Sequence, residues 1–364
     1  MNFSDIFIDD TKNVKRINSD EYLTKGSVSV IDQGKELIAG YASDDVENAC
    51  YDTRIIFGDH TRIFKYIDFP FVCGADGTKV LKIIDPSKIN YKYMYYYLLA
   101  SNIPNTGYNR HFKWVKELSF KPVDINSQMM IVNKLDKINN LIDCRKKEIE
   151  KCDNLIKSQF VEMFGDLLSN EIKYDKYKLE EVANIGSSKR IYANEYVTDG
   201  IPFYRSKEVI ELGHNKKPSV ELFITEERYQ EVKEKYGVPK KGDILITAVG
   251  TIGETWIIDS DKPFYYKDGN LLLISLKKEM SEVFFKFSLD ILVDDFKKKN
   301  ISGSSYGALT IEKFKNMNIV YPPIELQNKF AQIVEQIDKQ KFEFENSLNK
   351  LEELQASLMQ EYFG

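Results

Sequence analysis

Two stretches of the chain carry apolar residues at steps of three and four, with no proline or glycine to interrupt them. In the later stretch Val334, Ile337, Phe344, Leu348, Leu351, Leu358 and Tyr362 keep this period, and Lys341 and Gln355 occupy the turns it skips. In the earlier one Val132, Leu135, Ile138, Ile142, Ile149, Cys152, Ile156 and Met163 do the same, with Arg145 and Gln159 in the polar slots. A narrow apolar seam, with Lys, Glu, Asn and Gln crowding the other faces, is a heptad pattern and predicts two long helices that pair as a coiled coil. About forty residues at 1.5 Å each make a rod of roughly 60 Å. The alternative is two amphipathic helices, each buried separately in its own globular core.

The two stretches are copies. Leu118–Gly165 and Met317–Gly364 align without a gap, with Ile125/Ile324, Gln128/Gln327, Ile138/Ile337, Lys151/Lys350, Leu155/Leu354, Ser158/Ser357, Glu162/Glu361 and Phe164/Phe363 identical. Between them apolar residue replaces apolar residue, as in Ile131/Phe330, Leu135/Val334 and Ile149/Leu348. A gapless match of this length means that an ancestral half was doubled.

What precedes each rod also recurs. Lys15–Gly26 matches Lys189–Gly200 through Lys15/Lys189, Arg16/Arg190, Ile17/Ile191, Glu21/Glu195, Tyr22/Tyr196, Thr24/Thr198 and Gly26/Gly200, and Asp76-Gly77 matches Asp268-Gly269. The offset grows along the chain, so the second copy carries insertions. In the first region Ser27–Ile31, Leu37–Tyr41, Arg54–Phe57, Phe69–Val72 and Val80–Ile84 read as strands and Ile89–Ser101 as a helix. In the second, Tyr177–Ile185, Ile201–Tyr204, Gly242–Ala248, Glu254–Ile258 and Leu271–Leu276 read as strands and Glu282–Lys298 as a helix. The plan is globular, rod, globular, rod, with boundaries at 1–121, 122–166, 167–321 and 322–364. The fold class is α+β: two mixed domains separated by two long helices in an antiparallel coiled coil, the halves related by a pseudo-twofold repeat. The first half opens at Met1 with little ahead of Ser4-Asp5-Ile6, whereas the second has the lead-in Tyr177–Glu181.

Composition narrows the chemistry. The 364 residues are 43% hydrophobic and 13% aromatic, within the range of folded proteins. A net charge of −5 does not advertise nucleic-acid binding, although a basic stripe can sit within an acidic total. Four Cys and three His fall in no CxxC or HxxxH spacing, so neither a zinc site nor a disulfide framework is expected. No apolar run is long enough to span a bilayer and no signal peptide is present, which predicts a cytoplasmic protein.

Catalytic motifs are missing. Tyr321-Pro322-Pro323-Ile324 lacks the leading Asn or Asp and the closing aromatic of a base methyltransferase, and its prolines suit the start of a rod. Gly250-Thr251-Ile252-Gly253 reads as a turn between strands. Asp59-His60 has no third ligand. Tyr93, Tyr95, Tyr96 and Tyr97 read as packing residues against a sheet rather than as base-stacking groups. Gly107-Tyr108-Asn109-Arg110-His111-Phe112-Lys113-Trp114 alternates cations with aromatics, which suits either a DNA backbone and base edges or an ordinary turn into the rod.

VIDQGKELIAGY at Val30–Tyr41, IFGDHTR at Ile56–Arg62, FPFVCGADG at Phe69–Gly77, KKGDILIT at Lys240–Thr247 and the rod endings SQFVEMFGD and QEYFG, in this order and together with the twofold repeat of the chain, resemble a type I restriction–modification specificity subunit. The resemblance covers nearly the whole chain. It implies a non-catalytic subunit in which each globular region is a target-recognition domain reading one half of a bipartite, asymmetric site in double-stranded DNA. It also implies two methyltransferase subunits docked on the rods, with restriction and translocase subunits joining them. S-adenosylmethionine, ATP and Mg are then expected on those partners and not on this chain. A stand-alone DNA-modifying enzyme and a coiled-coil scaffold that binds only protein are the competing classes.

Direct readout needs Arg, Lys, Asn, Gln or Ser on an exposed face. In the first domain Arg16, Lys35, Lys79, Asn109, Arg110 and His111 are the candidates. In the second they are Ser187, Ser188, Lys189, Arg190, Arg205, Lys207, Ser304, Ser305 and Tyr306. Lys15-Arg16 and Lys189-Arg190 recur in both halves and are therefore assigned to the DNA backbone rather than to bases.

Overall fold

The computed structural model of the chain describes residues 1–74, 76–169, 172–300 and 309–364. It divides into two compact units, Met1–Lys147 with Phe344–Gly364, and Glu148–Glu343. No helix among the described residues is long and apolar enough to cross a membrane.

The first unit opens with the short helix α1 (Phe3–Ile6), then strands β1 (Phe7–Asp9), β2 (Val28–Ile31), β3 (Gly40–Ala42), β4 (Arg54–Gly58), β5 (Phe64–Ile67), β6 (Phe71–Cys73) and β7 (Thr78–Ile83). Helices α2 (Tyr91–Ala100) and α3 (Phe112–Lys116) lead into the long α4 (Ile125–Phe164). One sheet is antiparallel, in the order β1-β7-β4-β5. The other runs β3-β2-β6, with β2 and β6 parallel. Every residue of β2, β4 and β6 is buried, which is why these strands read as short continuous apolar runs. The single charge among them, Arg54, is matched inside by Asp10 at 3.0 Å. Tyr93 and Tyr96 of α2 are buried, while Tyr95 and Tyr97 lie against the same core, so the tyrosine cluster packs as expected. The lead-in is reduced to one bridge, Asn2 with Ser119, flanked by the Met1 ammonium donating to the Phe120 carbonyl at 2.9 Å.

The second unit repeats this frame. It contains β8 (Lys176–Lys178), α5 (Leu179–Val182), β9 (Ala183–Gly186), β10 (Ile201–Tyr204), α6 (Ser206–Gly213), β11 (Phe223–Ile224), α7 (Glu226–Tyr236), β12 (Ile244–Thr247), β13 (Thr255–Ile257), β14 (Tyr265–Tyr266) and β15 (Leu271–Leu276). The chain then forms α8 (Glu282–Asn300), α9 (Ile311–Lys315), β16 (Asn318–Val320) and the closing helix α10 (Ile324–Phe363). The antiparallel sheet β13-β12-β15-β9 mirrors β5-β4-β7-β1 strand for strand. The sheet β11-β10-β14, with β10 and β14 parallel, mirrors β3-β2-β6. α6 and α7, without counterparts in the first unit, lie where the offset first grows, between Gly200 and Asp268. Tyr177–Ile185, expected as one strand, is broken by α5. Leu179 and Val182 are buried one helical turn apart, and the Glu181 carboxylate accepts from the Lys178 N–H at 2.6 Å. The lead-in here is a true ladder of three pairs between β8 and β16.

The two heptad stretches are unbroken helices of 40 residues each. Asp124 caps α4 by accepting from the Asn126 and Ser127 N–H groups at 3.1 Å, and Gly165, at φ +81, ends it. α4 and α10 pack together, which settles the alternative of separately buried helices. In the first unit the pairing is antiparallel through Lys134–Tyr362, Asn139–Gln355 and Arg145–Ser347. In the second unit it continues with Lys341–Asp153 at 2.6 Å and Phe160 against Phe330. The polar seam residues Arg145, Lys341 and Gln355 thus meet partners rather than solvent, as a register device does.

Gln128 and Gln327, identical in the repeat, are buried and do the same work in each unit. The Gln128 side-chain oxygen accepts from the Asn90 N–H at 2.8 Å while its amide donates to the Val123 carbonyl at 2.7 Å. Gln327 accepts from the Ser281 N–H at 3.0 Å and donates to the Pro322 carbonyl at 2.7 Å. Each ties the start of a rod to the residue just before the domain helix, α2 or α8.

Candidate nucleic-acid interface

In each unit the two parallel strands end side by side, and the loops that follow them carry charge. This is the end of a parallel pair at which open sheets bind ligands. In the first unit the loop after β6 makes the turn Asp76-Gly77. The Asp76 carboxylate takes Arg16 at 3.0 Å and Arg110 at 3.1 Å. The Gly77 backbone, followed by Arg110 and Arg16, holds that carboxyl below the usual carboxylate range. Gly77 sits at φ +87, and a Cβ there would press to 3.0 Å on the Gln33 amide and the His60 ring. Gln33, in the loop after β2, donates to the Asp76 carbonyl at 2.9 Å and accepts from the His60 N–H at 3.2 Å, joining three loops.

The second unit builds the same turn from Asp268-Gly269. Arg190 donates to Asp268 at 2.7 Å, which raises its pKa, and Lys267 stands 3.7 Å away. Asp268 is sheltered, with a side chain 11% exposed against 71% for Asp76. Beside it is a cavity of about 320 Å³ lined by Arg205, Ser206, Lys207, Glu221, Lys267 and Asn270. Arg205 is clamped by the buried Glu208 at 2.8 Å and by Glu221 at 2.9 Å, and these two carboxylates raise its pKa.

The predicted residues divide accordingly. Arg16 and Arg110 meet at Asp76, and Asn109 is exposed beside them. Lys35 is exposed on the loop that carries Gln33, whereas Lys79 lies along the Phe112 ring at 5.4 Å. His111 requires correction. It is 0% exposed, its Nδ1 lies 3.0 Å from the Asp59 carbonyl, and Nε2 faces Thr106 at 3.4 Å. A carbonyl only accepts, so Nδ1 carries the proton, and the ring anchors the loop from inside instead of facing a ligand. Asp59 is the post of this loop, accepting the Phe112 N–H on its carboxylate at 2.7 Å, which also removes Asp59-His60 from consideration as a catalytic pair.

In the second unit Arg190, Arg205 and Lys207 gather around the Asp268 turn and the adjoining cavity. Ser187 and Ser188 turn to the protein, bonding the Gly269 N–H at 3.1 Å and the Tyr266 carbonyl at 2.7 Å. Ser187 remains exposed and Ser188 half-buried while making these bonds. Lys189 is exposed and lies over Tyr236 at 5.5 Å. Ser304, Ser305 and Tyr306 lie outside the described residues. Lys267 and Asn270 carry no signal in the sequence, whereas Gln33, His60, Asp76, Tyr108 and Asp268 stand in motifs it brings forward without being named among the candidates. The recurrence of Asp-Gly with Lys-Arg in both halves is the signal that points to the two aspartates; the others depend on loop geometry.

The profile of the type I restriction modification DNA specificity domain matches residues 171–356, just over half of the chain. The chain belongs to this family. The resemblance read from its loop and rod motifs is therefore borne out. This type I specificity-family chain is 29% identical over 267 residues to the type I restriction enzyme specificity subunit named S.HindORF215P from Haemophilus influenzae, covering 69% of its own length and 65% of that protein. It is 26% identical over 229 residues to the EcoR124I/EcoR124II specificity subunit of Escherichia coli, covering 58% and 54%. It spans less than two thirds of the length of either relative. Its fold is similar to that of the type I restriction–modification S subunit from M. genitalium, at a TM-score of 0.62 and 18% identity over 99% of this chain and 94% of that one. A second solved structure, from work on complex assembly and conformational transition of the type I system, matches at a TM-score of 0.55 and 14% identity over 98% and 97%. The family is a DNA-recognition component.

Proposed function

We propose that this chain is the sequence-reading subunit of a type I restriction–modification assembly and catalyses nothing itself. Each unit reads one half of a bipartite, asymmetric site in duplex DNA. The observation that carries this reading is the duplicated cluster: one frame, one Arg–Asp-Gly clamp in each copy, and unlike side chains around it. Arg16 and Arg190, common to both copies, contact phosphates, and the unlike neighbours contact bases. The α4–α10 pair acts as the spacer and as the platform for two methyltransferase subunits, which the restriction and translocase subunits join. S-adenosylmethionine, ATP and Mg belong to those partners.

The test is a methylome. One bipartite motif is expected, lost on deletion of this gene and altered on one side alone when one globular region is exchanged. An uninterrupted motif, or a swap that changes both sides, defeats the assignment. Removing one heptad from both rods is expected to shorten the tolerated spacer, and an unchanged spacer preference rules out the ruler role. Methyl transfer by the isolated chain would favour the stand-alone enzyme instead.

A further inference from the structure

The loop between Pro104 and Arg110 displays a side chain that the core does not use. Tyr108 is 92% exposed, yet its ring is held: it lies parallel to the His60 imidazole, with centroids 5.1 Å apart and planes 12° from parallel. One face of the phenol is backed by another ring and the opposite face is bare. The loop is pinned on both sides of this residue. On one side the buried His111 and Asn109 grip Thr106, and on the other Arg110 is drawn to Asp76 at 3.1 Å. His60 is in turn fixed through its N–H to Gln33 at 3.2 Å.

A large ring in water costs free energy unless a partner covers it, and the surroundings say which kind. A protein hot spot is an aromatic within an apolar core of interface. The surrounding loops carry Arg16, Arg110, Asp76 and Gln33, a polar rim in which two arginines share one carboxylate. A polar rim carrying two arginines beside a one-sided aromatic platform suits the face of a nucleic-acid base, which stacks on aromatics whatever its identity.

We propose that Tyr108, backed by His60, is an aromatic wedge that stacks into a base step of the half-site under the first unit. The inference rests on the DNA-reading assignment above and adds to it a deformation of the duplex. Specificity at that step then comes from how readily the step opens as well as from base-edge contacts, since pyrimidine–purine steps open most easily.

The experiment uses the assembled complex, without methyl donor, and duplexes carrying the motif found by methylome sequencing. Each pyrimidine of the half-site assigned to the first unit is replaced in turn by its 5-iodo derivative, irradiated, and the cross-linked peptide identified by mass spectrometry. Every base pair holds one pyrimidine, so the scan leaves no step unprobed. One or two adjacent positions are expected to cross-link to Tyr108. Tyr108→Phe is expected to keep both the cross-link and the affinity. Tyr108→Ala is expected to lose the cross-link and bind about tenfold more weakly. No cross-link to Tyr108 from a complex that binds the duplex, or unchanged affinity in Tyr108→Ala, overturns the wedge while leaving the reading assignment intact. A wild-type complex that binds no bipartite duplex overturns both.

Discussion

The two units solve one packing problem with different chemistry. In the second, the helix pair meets the globular part through phenylalanine: Phe160 stacks on Phe284 at 5.7 Å, Phe164 tilts on Phe284 at 4.6 Å, and Phe330 stands edge-on to Phe160 and Phe287 at 5.3 Å. In the first, the equivalent joint uses Phe363 against Tyr93 at 5.4 Å and Tyr97 at 5.6 Å, with Ile131 and Met359 where the second has Phe330 and Phe160. Polar ties replace the missing rings. Tyr96 donates to Asp136, Asn139 donates to the Tyr96 hydroxyl at 2.7 Å, and Lys92 reaches Asp136 at 2.8 Å. Burial, then Asp136, pushes the Tyr96 hydroxyl up, so it stays protonated and remains a donor. After duplication the backbone frame was kept, and the joints and loops diverged around it.

The largest expected effect tests the dry joint. Phe160→Ala removes a fully buried ring and is expected to cost about 3–5 kcal/mol. Met359→Ala, at a position only partly buried, is expected to cost clearly less. Peptide-resolved hydrogen exchange over α8 and α2 reads the two separately, and equal losses would erase the contrast. Next come the glutamines, where the units are alike. Gln128→Leu and Gln327→Leu each orphan a backbone N–H and a carbonyl, and each is expected to cost about 2 kcal/mol, seen as faster exchange at the start of α2 or α8. A strong effect at one alone would mean the repeat has not kept its joint.

Smaller effects probe the surface. Arg16→Ala and Arg190→Ala are each expected to weaken DNA binding equally across sequences and to lower the slope of log affinity against log salt by about 1. A loss confined to one half-site motif would move that arginine from phosphate to base.

The smallest effect concerns the thiols. Burial pushes the Cys73 thiol up to about 12 from an ordinary 9.0. The folded state therefore keeps a proton that the unfolded chain releases, so this contribution is complete below about pH 9 and is lost as pH rises towards about 12. Cys73→Ala should flatten that part of the alkaline stability profile of the first unit. At neutral pH the exposed Cys144 should be alkylated in the native protein, and buried Cys50, Cys73 and Cys152 only after unfolding, as mass spectrometry would report.

Much of this architecture is written locally. A heptad seam without Pro or Gly can only be a long helix, and Val28–Ile31 and Arg54–Gly58 are fully buried strands, with Leu271–Leu276 partly so, whose neighbours do not alter their apolar runs. Other elements are not legible in this way. β1 and β5 are short, and β1 buries only Phe7 of its three residues, so it shows no alternation. α7 buries Tyr229 and Val232 alone, although Thr225 caps it and Gly237 ends it. The site divides likewise. Arg16 and Arg190 stand out because the repeat preserves them, but the alternation of cations and aromatics in Gly107–Trp114 does not say that His111 points inward while Tyr108 points out.

By itself the sequence determined the doubling, the two rods and the family, because periodicity and internal likeness are properties of neighbours along the chain. Only the tertiary structure decided that Asp76 gathers Arg16 and Arg110, that Asp268 takes Arg190, and that His60 backs Tyr108. Those meetings all join residues from 34 to 78 positions apart, and which loops meet is set by how the parallel strands pair, a non-local choice that no short window of residues encodes.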